Sequence, residues 1–199
     1  MNTRGILVIA TALFLLSFNA HAHSPFEGAG AFYSGFLHPF WVPAHLLLLC
    51  ALGLHIGQSG IQTNQWAVLS FVIATTVGLV AAGLSALPEI EFMVLVAATI
   101  LGLTVASKLA IGQTLSAVAA AAAGFIVALD SSQESLVSTD KIVMMIGTGL
   151  GAFIAFCIAA LVADYLSVKP WQTIAVRIMG SWIAAISLLV LALTFKQSG

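Results

Sequence analysis

Charge is what this sequence has least of. Asp, Glu, Lys and Arg make up 7% of its 199 residues, where a soluble domain carries about 25%. No cluster of Lys and Arg is present to hold a phosphate backbone, so nucleic acid is set aside as a partner. Cysteine is also scarce. Cys50 and Cys157 fall in separate apolar runs, which excludes a disulfide framework or a CxxC metal site. Both read as small polarizable packing residues. The sequence contains no GxxxxGK[ST] loop, no HExxH and no G-x-S-x-G nucleophile elbow. ATP-driven work by this chain alone and the common hydrolase chemistries therefore drop out. An intramembrane pair such as His45 with Ser85 is a remote enzymatic reading, and the expectation is a protein that is not an enzyme.

What the chain has in abundance is apolar length. Hydrophobic residues are 61% of it, in long runs parted by short polar breaks. This is the pattern of an all-α, polytopic membrane helix bundle. Residues 1–22 read as a secretory signal peptide: Arg4 gives the positive end, Ile6 to Phe18 the apolar stretch, and Ala20-His21-Ala22 a small-x-small cleavage site. Residues 23–199 then form a single transmembrane domain of about six helices. Expected spans are 43–57, 66–87, one ending near Ser107-Lys108, 111–129, 142–166, and one opening at Trp171. The fourth is rich in alanine from Ala117 to Gly124, so it is expected to pack centrally. Gly147, Gly149 and Gly151 in the fifth favour tight packing or a local break.

The chain is organised around the stretch from Gly35 to His55. His38 and His45 stand beside Pro39 and Pro43 at the mouth of an apolar run. Imidazole is the commonest metal ligand, and polar groups at membrane depth usually have a function. Proline favours the first turn of a helix, so the regular helix should start at about Pro43, with His38 in an extended or re-entrant approach. On one straight helix the two alpha carbons would lie roughly 10 Å apart. A break at the prolines would let both rings approach one point. Further along, Glu89 and Glu91 follow Pro88 at a helix start, where carboxylates gain from the dipole. Asp164, near Lys169, suggests an interfacial ion pair.

Cleavage after Ala22 would leave His23 at the amino terminus. Its amine and imidazole together can chelate a late transition metal; otherwise it simply belongs to a flexible tail.

Gly35-Phe36-Leu37-His38-Pro39, the second histidine at 45 and the apolar run to Leu54 resemble the first transmembrane signature of the HupE/UreJ family. These are small bacterial membrane proteins associated with nickel supply to hydrogenase and urease. The family pattern is close to His-Pro-x-x-Gly-x-Asp-His, and here Val42 and Ala44 replace its glycine and aspartate. Pro88-x-x-Glu91 resembles a second motif, which implies that Glu91 is the inward carboxylate and Glu89 the solvated one. Arg177-x-x-Gly180 resembles the terminal helix. A histidine-rich motif expected on the fourth span is replaced by Gly124 to Glu134, leaving Asp130 and Glu134 as substitutes.

The resemblance implies a metal set of His23, His38, His45, Glu91 and Asp130. It implies no permanently bound cofactor, and a transition-metal ion, nickel or cobalt, as substrate. Partners would be the lipid bilayer, the ion and factors of metalloenzyme maturation. Cleavage places the mature amino terminus in the periplasm of a bacterial inner membrane. Lys108, Lys169 and Arg177 then face the cytoplasm, against Lys141 and Lys196 outside. On that topology the candidate residues all gather at the outer half. Two readings stay open: a secondary metal permease, or a non-transporting membrane subunit or assembly factor that keeps the scaffold without the metal chemistry.

Overall fold

Two prolines set the geometry of the first span. In the computed structural model, which describes residues 30–84, 90–131 and 138–197, helix α1 covers Ala31–Trp41 and α2 covers Pro43–Gln58. Val42 between them is extended, with φ −86° and ψ 109°, because the ring of a following proline disfavours helical backbone. Pro43 then opens α2, where its missing N–H costs nothing. The two helices meet at a bend of 71°. The expected break is there, but the approach to it is helical: His38 lies on α1, with Pro39 inside the same helix. Packing overrides the proline here. α1 lies tightly along a later helix, α6 (Ser138–Leu166), with the glycines of each meeting backbone of the other: Gly35 faces Met144, and Gly147 and Gly151 face Phe32 and Phe36. Those three-glycine contacts make close packing, not a break, the outcome at residues 147–151.

The remaining helices are α3 (Gln65–Leu84), α4 (Glu91–Ser107), α5 (Gly112–Asp130) and α7 (Pro170–Gln197). α3, α5, α6 and α7 are each long and apolar enough to cross a membrane, and the bent pair α1–α2 makes a fifth such span. α4, with 17 residues, is about 26 Å long, short of a bilayer core of about 30 Å. The expected six spans thus become four or five by length, with α4 as a shorter apolar helix. Residues 1–29, which hold the expected signal peptide and His23, lie outside the described residues, as do Ser85, Pro88, Glu89 and Glu134.

The centre of the bundle is α2, not the alanine-rich α5. α2 touches α4, α5, α6 and α7 as well as α1, and every residue from Ala51 to Gly57 is buried. That is why it is apolar all round rather than on one stripe. α5 uses its small residues differently. It lies chiefly along α3, where Gly78 meets Phe125 and Ala128, and Gly124 meets Phe71. α4 pairs with α7 through Gly102 and Gly180. Cys50 and Cys157 are free, half-buried thiols, as read from the sequence.

At the end of the bundle away from His38 and His45, Asp164 does not pair with Lys169. Its Oδ1 accepts the backbone N–H of Ile61 at 3.4 Å, satisfying a donor in the α2–α3 loop.

Candidate metal centre

The bend at Val42 folds His38 back towards His45. The two imidazole centroids lie 5.3 Å apart with the rings inclined at 64°. His45, in the first turn of α2, is fully buried. Its Nε2 lies 2.9 Å from Oδ2 of Asp130, the last residue of α5. A carboxylate only accepts, so Nε2 carries the proton and donates it. In the neutral ring, Nδ1 is then left with a free lone pair. His45 Nδ1 has no partner among the described residues, and neither has His38 Nε2, although both atoms are buried.

An unmade hydrogen bond at a buried polar atom costs about 1–3 kcal/mol. Two such atoms on neighbouring rings are what an electrophile captured between them would satisfy. Asp130 therefore fixes the tautomer and orientation of the His45 ring through Nε2, the arrangement that a carboxylate makes behind a metal-bound imidazole. Its second oxygen, Oδ1, accepts the N–H of Ile90 at 3.2 Å. Ile90 caps the start of α4, so this one carboxylate joins the ends of α2, α4 and α5. His45 with Asp130 is the one contact between a basic and an acidic side chain within 4 Å among the described residues.

Of the five residues proposed from sequence, the structure brings His38, His45 and Asp130 together. Glu91 differs from expectation. It is exposed at the first position of α4. By helical period it shares the stripe of buried Val94, Leu95 and Ala98, but side chains lean towards a helix's amino end, which carries this one past the packed part of the bundle. Of the two carboxylates expected at the site, Asp130 on α5 reaches His45 and Glu91 on α4 does not. Among the described residues, no three of His, Cys, Asp and Glu converge closely enough to hold an ion. Two imidazoles leave positions open for water or for donors outside the described residues.

Sequence reasoning passed over His55. It is 1% exposed, and its Nε2 lies 3.2 Å from Oγ of Ser116, itself 2% exposed, on α5. The signal was available: an imidazole ten residues beyond His45, inside an apolar helix. Both histidines of α2 thus find polar partners on α5, one at each end of the contact.

A search of curated proteins and of solved structures finds no match to this chain. A family description, HupE / UreJ protein, matches residues 11–190. That span takes in His38 and His45, the α2–α5 contact that orients one of them, and all seven helices of the described residues nearly to the end of the last, and so the chain belongs to the HupE/UreJ family.

Proposed function

We propose that this membrane protein takes up a divalent late-transition-metal ion, nickel or cobalt, through His38 and His45 at the outer end of the bundle. The single observation that carries this reading is the pair of buried, unpartnered nitrogens, His38 Nε2 and His45 Nδ1, on rings 5.3 Å apart. Imidazole suits nickel and its neighbours in the first transition row, and family membership supports a metal-related membrane role. His23, at the amino terminus that cleavage would leave in the periplasm, would add its amine and imidazole as a chelate. Asp130 holds His45 in its ligating tautomer and contributes the negative charge that the family places at position 44. With no nucleotide-binding loop in the sequence, transport would be secondary or channel-like.

The second reading, a non-transporting membrane subunit, is favoured by the lack of a three-ligand group among the described residues. Equilibrium nickel and cobalt binding to the purified protein, with uptake into proteoliposomes, separates the two. The permease reading expects saturable binding and uptake, both lost in the His38→Ala, His45→Ala double variant. Absence of binding in the unaltered protein would favour the scaffold reading.

A further inference from the structure

At the opposite end of the molecule from His38 and His45, the end of α4, the α6–α7 turn and the start of α7 line a recess of about 400 Å³. That lies within the range of about 300–1,000 Å³ typical of small-molecule sites. Its polar lining comes from Lys108, Arg177, Ser167 and Thr173, with Val168 and Pro170 beside them. We propose that this recess binds the phosphate of an anionic phospholipid headgroup from the surrounding leaflet.

Charge is the first argument. Neither Lys108 nor Arg177 has a carboxylate within 4 Å among the described residues. Asp164, the nearest acidic residue in sequence to the α6–α7 turn, is engaged with the N–H of Ile61. Two uncompensated cations on one recess call for an anion. Arg177 is already held for the task. Its Nε donates to the carbonyl of Ala106 at 2.8 Å, near the end of α4. This leaves the two terminal guanidinium nitrogens for a phosphate, in the paired geometry that arginine offers. The Oγ of Ser167 is buried and has no partner among the described residues, so a phosphate oxygen would satisfy a group that is otherwise stranded. The start of α7, with Pro170 at its first position, adds the positive end of a helix dipole.

Location selects a lipid over a free anion. Tyr165, Val168, Trp171 and Leu109 are 75%, 78%, 65% and 56% exposed. Together they form an apolar, aromatic rim of the kind that sits at headgroup depth. Basic recesses between helices at that depth suit acidic headgroups. A lipid can place its phosphate between Lys108 and Arg177 and run its chains down the exposed apolar flank of α7.

The test measures lipid retention by native mass spectrometry and thermal unfolding of the full protein in nanodiscs, with phosphatidylglycerol or neutral phosphatidylcholine. The expected result is a preference for phosphatidylglycerol on the order of tenfold, and a higher unfolding temperature with it. Lys108→Gln, which alters one exposed side chain, should bring the preference close to parity. Arg177→Gln should do the same, and Lys141→Gln, at the other end, should change nothing. Equal retention of both lipids by the unaltered protein would overturn the proposal. So would full retention by Lys108→Gln. If millimolar inorganic phosphate alone reproduces the stabilisation and displaces the lipid, the site is one for free phosphate and the lipid assignment fails.

Discussion

Asp130 and His45, 85 residues apart in sequence, are joined by a contact of 2.9 Å between Oδ2 and Nε2. The relationship explains a gap in the first motif. Where relatives of this chain are expected to carry an aspartate beside the second histidine, Ala44 is packed in the core at 1% exposure. The carboxylate is supplied across space, from the end of α5. Because it bonds Nε2, it leaves Nδ1 as the atom of His45 that is offered.

The role of Asp130 is testable by affinity. Asp130→Ala should weaken nickel binding by about 10–100-fold, the usual cost of losing an orienting partner behind a ligating histidine. Asp130→Asn should be milder, since its amide oxygen can still accept the His45 proton. Isothermal titration in detergent reads both. An Asp130→Ala protein with unaltered affinity would remove this residue from the site.

Ala44→Asp bears on the same carboxylate. With Asp130 already in place, a second acid at this buried position has no partner, and burying an uncompensated charge costs several kcal/mol. The variant should unfold at a lower temperature without metal, and nickel should recover part of the loss by neutralising the added charge. Thermal unfolding with and without the ion measures this. Unchanged stability in the metal-free protein would mean that position 44 is hydrated rather than packed.

Gly57 probes the centre of the bundle. A Cβ there would meet the backbone carbonyl of Ala160 on α6, an atom that cannot swing aside as a side chain can. Gly57→Ala should destabilise by about 1–3 kcal/mol, as overpacking does in a close-packed interior. Chemical unfolding in mixed micelles gives the value. Gly30→Ala, at a position with open space, is the control and should be near neutral.

These sites differ in how far they could be read beforehand. The break before Pro43 follows from a steric rule between adjacent residues, and the membrane helices follow from apolar length, so both were visible in the sequence. His38 lies before the expected bend, as a re-entrant approach requires, but on a helix rather than extended chain. The same rule at Pro39 is overridden by glycine contacts with α6, which no local pattern reveals. Glu91 was misplaced. Its helical phase is right, but phase does not tell where the packed bundle stops. The Asp130–His45 contact depends on α5 running back beside α2, a tertiary fact. Composition gave α5 its small residues, yet could not tell a helix that packs at the centre from one that packs closely on a single neighbour.

His55 and Ser116 offer a separate measurement of how α2 is held to α5. Their contact, at 3.2 Å, is buried and lies away from His38 and His45. Inside a membrane protein such a bond contributes about 0.6 kcal/mol on average and up to about 1.7 kcal/mol, since the unfolded chain also finds partners in the bilayer. Removing one member leaves the other stranded, whereas removing both leaves two apolar surfaces that can meet. Ser116→Ala and His55→Leu should therefore each destabilise, and the double variant should be less destabilised than the sum of the two. A double-mutant cycle on unfolding free energy reads the difference directly. A coupling within the range above would assign the pair a structural role at this end of α2. Additive losses would mean that the bond contributes nothing in the membrane. Normal stability with impaired nickel uptake in either single variant would instead place His55 on the path of the ion.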